Sequence, residues 1–140
     1  MKFHASQHRC TIIIDKNLPA GLAMNAASVI GISFGRIVEN LVGPDMQSLD
    51  EVNYPGVIYS PLPVLLASGE YLHELQTNAE NDVEIYAMPF SALAQSCKTY
   101  EEYGERISSV NSNNIELVAI GLIGPKKKIT KMTGNLSLYK

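Results

Sequence analysis

The sequence lacks the features that mark secreted, membrane-spanning or cysteine-based metal proteins. It has two cysteines, Cys10 and Cys97, which lie far apart and form no CxxC motif, so no disulfide framework is indicated. Both lie in apolar segments, and we expect buried, reduced thiols in a cytoplasmic protein. No apolar run approaches the roughly 18 to 20 residues that cross a bilayer. The N-terminal MKFHASQHRC lacks the apolar centre of a signal peptide.

Motifs for common chemistry are also missing. There is no phosphate-binding glycine loop, no nucleophile elbow and no cluster of metal ligands. His4 and His8 are four residues apart, which would place two ligands on one helix face, but no third ligand lies nearby. A polar chain end is the simpler interpretation. His73 lies beside Glu70 and Glu74 in a predicted helix and is expected to face solvent. We therefore expect no metal and no cofactor.

Charge is unevenly distributed along the chain, whose net charge is −3. Residues 1–38 carry four cations and one acid, residues 39–116 carry thirteen acids and two cations, and residues 117–140 carry five lysines and no acid. If the two basic ends meet in the fold, one face of an otherwise acidic protein is positive. The alternative is that Lys126, Lys127 and Lys128 form a solvated turn.

What the sequence does contain is typical of one globular domain over residues 1–140. Apolar residues make up 46% of the chain, which is enough to form a hydrophobic core without disulfides or structural metals. The β-branched run Cys10–Ile14 predicts a strand covered on both faces. Asp15, Lys16 and Asn17 end this strand. A helix then follows from about Ala20 or Leu22 to Asn40, and Gly43-Pro44 ends it.

This helix has three faces that differ in composition. Small residues four apart form one stripe: Ala23, Ala27, Gly31 and Gly35. Glycine inside a helix costs about 1 kcal/mol relative to alanine, so we expect this stripe to pack closely on a sheet or a second helix. A bulky stripe lies beside it: Ile30, Phe34, Ile37 and Leu41. The remaining face is expected to reach solvent or a partner: Asn25, Ser28, Ile32, Arg36 and Glu39.

The rest of the chain alternates between predicted strands and helices. Strands are predicted at Val64–Ala67, Val83–Pro89 and Glu116–Ile123. Helices are predicted at Gly69–Asn78, capped by Ser68, and over Ser91–Val110 with a break near Lys98. The acidic connector Asp45–Gly56 is predicted to contain at most one helical turn, at Met46–Val52. Ile129–Gly134 is predicted to be a short helical turn or the approach to the chain end, and Leu136–Tyr139 a final short strand or tail. The alternation predicts an α/β fold, a three-layer α/β/α sandwich around a central mixed β-sheet.

Two stretches resemble type II peptidyl-tRNA hydrolases. Asn17-Leu18, followed after seven residues by Ala26-Ala27, resembles the family's DL…AAQ…H signature. The run from Ala119 to Tyr139 resembles its closing motif, with the Gly124-Pro125 turn, Thr133-Gly134 and alternating leucines. The chain also resembles a group of small bacterial proteins of unknown function that share this fold. The resemblance implies the peptidyl-tRNA hydrolase type II-like fold over nearly the whole chain.

The chain departs from the family at the positions that carry its chemistry. The aspartate before leucine is Asn17, and the helix opening at Gly21–Met24 contains no lysine. The family's glutamine and histidine correspond to Ser28 and Gly31. Its catalytic aspartate corresponds to Ala87, and only its threonine has a substitute, Ser91. Ester hydrolysis needs a group that positions or deprotonates water and donors for the oxyanion, so we expect no hydrolysis of peptidyl-tRNA.

The resemblance also implies a pocket with apolar walls and a few polar points. Its candidate residues are Asn17, Met24, Asn25, Ser28, Met88 and Ser91. The leading hypothesis is a small-ligand-binding or protein-interaction module that forms a homodimer. The alternatives are side chains that fill the cavity, an enzyme of different chemistry that uses Asp15 or Lys16 as acid or base, and a divergent peptidyl-tRNA hydrolase. RNA binding needs several phosphate contacts, and one basic patch could supply them: Lys126, Lys127, Lys128 and Lys131. These lysines are the only candidates in an acidic protein, and no aromatic residue is interleaved with them, so nucleic-acid binding is not expected.

Overall fold

The computed structural model describes residues 1–140. Its strands are β1 (His8–Asp15), β2 (Met46–Gln47), β3 (Asn53–Tyr54), β4 (Val64–Ala67), β5 (Tyr86–Ser91) and β6 (Leu117–Pro125). Its helices are α1 (Ala20–Ile37), α2 (Gly69–Glu80), α3 (Ala92–Ser96), α4 (Tyr100–Ile107) and α5 (Lys126–Thr133), with one 3₁₀ turn at Ser112–Asn114.

A four-stranded mixed sheet organises the molecule. The strand order is β4-β1-β6-β5, with β1 parallel to β4 and antiparallel to β6, and β5 antiparallel to β6. The two central strands are the ones with uninterrupted apolar runs, as expected for strands covered on both faces. The predicted mixed sheet and the central position of Cys10–Ile14 are confirmed.

Hydrophobic side chains form one cluster on each face of this sheet. On one face, α1 contributes four buried residues, Ala23, Ala26, Ile30 and Phe34. On the other face, α2 contributes Leu72 and Leu75 and α5 contributes Ile129. Along β1, and along β6 from Ala119 onward, alternate residues divide between the two clusters, because successive strand residues point to opposite faces. Burial by α1 and α2 thus covers both sides of the central strands.

The contact between α1 and the sheet depends on a glycine in the strand. A Cβ atom added to Gly121 of β6 would lie 2.6 Å from Ile30 Cγ2 and 2.8 Å from Phe34 Cε2. The predicted role of the helix glycines was therefore wrong. Cβ atoms at Gly31 and Gly35 would meet nothing within 4 Å, because the helix turns these glycines away from the core.

By length and composition alone, α1 is also a helix that could cross a membrane. The prediction that no apolar segment approaches this length does not hold for α1. Core helices pass the same test, and here α1 supplies four residues to the larger hydrophobic cluster. Its contacts with the sheet account for its apolar composition.

Several element boundaries differ from the predictions for local reasons. The helix α1 ends at Ile37, and Asn40 adopts a left-handed backbone with φ 62°, which stops helix propagation before Gly43-Pro44. Met46–Val52 does not form a helical turn. It contributes β2 to the β2–β3 hairpin, whose turn is closed by the Val52 amide donating to Ser48 Oγ at 3.1 Å.

The C-terminal lysines open a helix and do not form a turn. Lys126–Thr133 is helical because Ile129 is fully buried beneath the sheet and Thr133 Oγ1 donates back to Ile129 O at 2.7 Å. By contrast, two predictions for the middle of the chain are confirmed. Ser68 caps α2 by accepting from the Tyr71 amide, and the third helical region breaks near Lys98 into α3 and α4.

Candidate functional site

An open cleft of about 440 Å³ lies where α1, β5 and the α3–α4 pair meet. Its wall from α1 is formed by Asn25, Val29 and Ser33, and its wall from β5 by Met88, Pro89 and Phe90. The α3–α4 region closes the third side: Ala94, Gln95, Cys97, Lys98, Thr99, Tyr100 and Tyr103. We call this the α1–α4 cleft.

Two capping residues fix the third side of the cleft. Ser91 ends β5 and accepts from the Ala94 amide at 3.0 Å, which starts α3 immediately after the strand. Thr99 accepts from the Glu102 amide at 3.1 Å and starts α4. A serine or threonine cap accepts a hydrogen bond from a helix amide that has no partner within the helix, and so favours the start of a helix at that point. By starting α3 and α4, these two residues direct the chain back over α1.

A side-chain hydrogen bond ties α3 to α1 at the floor of the cleft. Gln95 Nε2 donates to Leu22 O at 2.9 Å and to Asn25 Oδ1 at 3.1 Å. The bond to Asn25 orients its amide, with the oxygen toward Gln95. The Asn25 amide nitrogen and the Ser33 hydroxyl make no hydrogen bond within the protein, so both are free to meet a ligand.

The rim of the cleft is aromatic. Tyr100 and Tyr103 contact each other edge to face, with ring centroids 5.7 Å apart and an interplanar angle of 84°. Tyr100 is 84% exposed, which is unusual for a large ring in a monomeric protein. Met88 and Phe90 lie on the opposite wall. A flat ring could therefore stack between the tyrosine rim and the β5 wall.

The charged and sulfur groups beside the cleft are held in a local network. Arg106 Nη1 donates to Ser96 Oγ at 3.1 Å and lies 3.5 Å from Cys97 Sγ and from Glu102 Oε1. The Cys97 thiol donates to Leu93 O at 3.2 Å. No carboxylate and no imidazole lines the cleft. The cleft thus presents aromatic, amide and hydroxyl groups, the Cys97 thiol and one cation, Lys98, and it lacks a paired acid and base.

The structure brings together two of the six predicted pocket residues, Asn25 and Met88. Ser91 is buried beside the cleft, where it caps α3. Met24 and Ser28 lie on the exposed face of α1, with Ser28 Oγ donating to Met24 O at 2.8 Å. Asn17 lies outside the cleft, in the turn after β1.

Sequence reasoning missed Gln95, Tyr100 and Tyr103, which shape the cleft more than the predicted residues do. The available signal was Thr99 before a helical segment with tyrosines three residues apart, which places both rings on one helix face. That signal indicates a face of α4, but only the folded chain shows that this face lies opposite β5.

The alternative acid–base pair, Asp15 and Lys16, is not part of this cleft. Asp15 Oδ1 accepts from the Asn17 amide at 2.9 Å and closes the turn after β1. Its surroundings are Gly69, Glu70 and His73 of α2, and residues 113–117, which lead into β6. Lys16 is exposed. Asp15 therefore does not share a cleft with Ser28 or Ser91.

The four C-terminal lysines lie on three faces of α5, because residues one apart in a helix lie about 100° apart around its axis and residues four apart share a face. Lys128 Nζ forms ion pairs with Asp82 Oδ2 and Glu84 Oε1, both at 2.7 Å. Lys126 lines a separate cavity. Lys127 and Lys131 are exposed on a third face. The predicted basic patch is therefore divided, and one of its members is neutralised.

Comparison with known proteins identifies the fold and the family. The fold matches the solved structure of Atu0240, a protein of unknown function from Agrobacterium tumefaciens strain C58, with a TM-score of 0.81 and 13% sequence identity. The match covers 95% of this chain and 98% of that chain. No curated protein matches the sequence significantly. Residues 8–140 match the family described as "Protein of unknown function (DUF2000)", and the chain therefore belongs to the DUF2000 family.

Proposed function

We propose that this protein is a small-ligand-binding module whose ligand occupies the α1–α4 cleft. The observation that carries the proposal is an open cleft with an aromatic rim and unpaired amide and hydroxyl donors, but no carboxylate or imidazole. Ligand pockets combine an apolar lining with a few placed polar groups. The ligand class that fits is a small, neutral aromatic amide, whose ring stacks on Tyr103 and whose carbonyl accepts from Asn25.

We further propose that the chain has a three-layer α/β/α, peptidyl-tRNA hydrolase type II-like fold without that family's activity. The hydrophobic clusters on both faces of the mixed sheet support the layered description. At the positions matched to the family's catalytic groups, Ala87 is a ladder residue paired with Leu122, and the Ser91 hydroxyl is engaged in the α3 cap. Neither supplies a group that activates water.

Binding is tested by titrating benzamide into the ¹⁵N-labelled protein and following amide chemical shifts. We expect chemical shift changes at residues of the cleft. Tyr103→Leu should weaken binding about fivefold or more, because stacking of a ligand ring on an aromatic side chain contributes about 1 kcal/mol or more. Ser28→Ala is the control, since Ser28 lies on the exposed face of α1, outside the cleft. Shifts that spread evenly over the surface, or that survive Tyr103→Leu, would exclude the cleft as the site.

The absence of hydrolysis is tested separately with purified peptidyl-tRNA. We expect no release of peptide above the spontaneous rate. Peptide release that disappears in Asn17→Ala would contradict the proposal and would favour the alternative that the protein is a divergent peptidyl-tRNA hydrolase. Ser91→Ala is less informative, because Ser91 caps α3 and its loss would change the cleft itself.

We also propose that the protein is a cytoplasmic homodimer in which one copy's residues 42–59, the arm, cover the partner's α1. Met24 and Ile32 of α1 are 67% and 75% exposed, and the arm exposes Met46, Tyr54 and Val57. The arm carries acids and no cation, whereas α1 carries Arg36 and no acid, so the two surfaces are complementary in charge. The free cysteines, Cys10 and Cys97, support a reducing compartment.

Light scattering after size-exclusion chromatography tests this dimer. Ile32→Lys should convert the protein to a monomer, whereas Val83→Lys, at a still more exposed apolar residue outside the arm and α1, should leave the dimer intact. A monomeric wild-type protein, or equal effects of the two lysines, would contradict the proposed interface.

A further inference from the structure

A second cavity, of about 430 Å³, lies between the beginnings of β1 and β4 and the helix α5. It shares no residue with the α1–α4 cleft. Arg9 and Thr11 of β1 form one wall, and Lys126 and Thr130 of α5 form another. Pro61, Pro63 and Leu65 supply an apolar side. The cavity is large enough for a small molecule with an apolar part and a charged group.

Two cations reach this cavity without a carboxylate to neutralise them. The ion pairs of the protein involve only Arg106 and Lys128 as cations, so Arg9 and Lys126 are both unpaired. No aspartate or glutamate lines the cavity. Since like charges gathered without counter-ions cost free energy, their convergence around a concave surface indicates an anionic ligand.

The Arg9 guanidinium is already oriented. Arg9 Nη1 donates to Thr130 Oγ1 at 2.7 Å, and this bond uses one of the five N–H donors of the guanidinium. Thr130 Oγ1 makes no hydrogen bond as a donor, so its hydroxyl hydrogen is free. A guanidinium held in this way retains N–H groups for a bidentate contact with an oxyanion, which is the geometry that arginine provides and lysine does not.

The remaining polar groups of the cavity do not add negative charge. Thr11 Oγ1 donates to Pro63 O at 2.9 Å, and Thr133 Oγ1 donates to Ile129 O at 2.7 Å, so both buried hydroxyls are satisfied within the protein. His8 accepts at Nδ1 from the His4 amide. Burial and then the charge of His4 lower the pKa of His8, which keeps its ring neutral at pH 7. The lining therefore carries two positive charges.

The fold itself concentrates positive potential here. The antiparallel pairing of β1 with β6 brings His8 opposite Pro125, so the basic N-terminal segment meets the basic C-terminal segment. The two ends do meet, which is the condition under which the sequence predicted a positive face, and the cavity lies at their junction. A concave site lined by charges of one sign attracts ligands of the opposite sign.

We propose that this cavity binds a small phosphate monoester, with the phosphate held by Arg9, Lys126 and the Thr130 hydroxyl. A phosphate monoester carries a charge of about −1.5 to −2 at pH 7, which matches the two cations. Its organic part lies along Pro61, Pro63 and Leu65. A free inorganic phosphate would satisfy the cations and leave this apolar side empty.

The test is isothermal titration with phenyl phosphate at low ionic strength, with benzoate and inorganic phosphate as comparison ligands. We expect phenyl phosphate to bind more tightly than either. Arg9→Gln and Lys126→Gln should each weaken its binding about tenfold or more, because each removes a charge-assisted hydrogen bond. Lys127→Gln is the matched control, since it removes the same charge from the same helix outside the cavity.

The outcomes separate a built site from general attraction. Equal weakening by Lys127→Gln and Lys126→Gln would reduce the effect to net charge and overturn the proposal. Binding of phenyl phosphate that is unchanged in Arg9→Gln, or no binding at all, would also overturn it. Arg9 and Lys126 are both exposed, so their variants should fold, and an unchanged circular dichroism melting curve confirms this. Failure here leaves the α1–α4 cleft untouched, because the two sites share no residues.

Discussion

Replacing Gly121 by alanine tests how closely α1 packs on the sheet. The added Cβ would lie 2.6 Å from Ile30 Cγ2 and 2.8 Å from Phe34 Cε2, both shorter than any unstrained carbon–carbon contact. Ile30 and Phe34 are fully buried, so neither side chain can swing into solvent. The strain must be relieved by moving α1 or by forcing Phe34 out of its rotamer.

The expected loss of stability follows from two opposing effects. Overpacking a well-packed core costs about 1–3 kcal/mol and occasionally more. Alanine also restricts the unfolded chain, which favours folding by about 0.4–1 kcal/mol, and no glycine of this protein has a positive φ that alanine would resist. Because two buried side chains are displaced at once, we expect a net loss of about 2 kcal/mol. The melting temperature should fall by about 6 °C or more.

The measurement is urea unfolding followed by circular dichroism, with Gly31→Ala as the matched control. A Cβ at Gly31 would meet nothing within 4 Å, so the same chemical change there should stabilise the helix by about 0.5–1 kcal/mol. The two Gly→Ala variants should therefore shift the free energy of unfolding in opposite directions. A Gly121→Ala protein as stable as the wild type would refute the close packing of α1 on β6.

A double-mutant cycle assigns the loss to one contact. Phe34→Leu removes the ring atoms that meet the new Cβ, so its cost should be smaller in the Gly121→Ala background than in the wild type. We expect a coupling free energy of about 1 kcal/mol or more. Additive effects would show that the strain lies elsewhere.

Three further outcomes follow from individual contacts. The pKa of Asp82 is lowered, first by the hydrogen bond from Lys128, and that of Lys128 is raised, first by the hydrogen bond to Asp82. Lys128→Met should therefore lower the free energy of unfolding at pH 7. The difference from the wild type should shrink as the pH falls below 3.8, the ordinary pKa of aspartate, and then through the lowered pKa of Asp82. Denaturant titrations at several pH values measure this difference, and a difference that stays constant with pH would contradict the ion pair's role. Burial raises the pKa of Cys10 to about 12, so iodoacetamide at pH 8 should alkylate this thiol only after unfolding, as read by mass spectrometry. Ser91→Ala removes the cap of α3 and should cost about 1 kcal/mol by thermal melting, whereas no change would argue against the cap.

The sheet was predictable because its signal is local. An uninterrupted β-branched run such as Cys10–Ile14 fits a strand covered on both faces, and Ser68 is a cap that needs only its own neighbours to act. The hairpin β2–β3 was not predictable in the same way. Its strands are two residues long and exposed, so no alternation of apolar residues marks them, and the turn at Ser48 decides the conformation.

The candidate sites depend on pairings that the sequence does not state. Asn25 and Met88 were predicted to lie together and do so, because α1 and β5 pack in the same hydrophobic cluster. Tyr103 reaches the cleft only because two capped short helices fold back over α1. Its position is set by the tertiary path of residues 91–107 and not by any local pattern.

The sequence by itself determined the four strands of the central sheet, the main helices and the separation of charge along the chain. Only the tertiary structure decided what these elements do together. It shows that Gly121, and not the glycines of α1, allows the helix to approach the sheet. It also places Arg9 beside Thr130, although 121 residues separate them in sequence. The physical reason is that strand and helix formation depend on neighbours along the chain, whereas a cavity is made by residues that meet only after β1 pairs with β6.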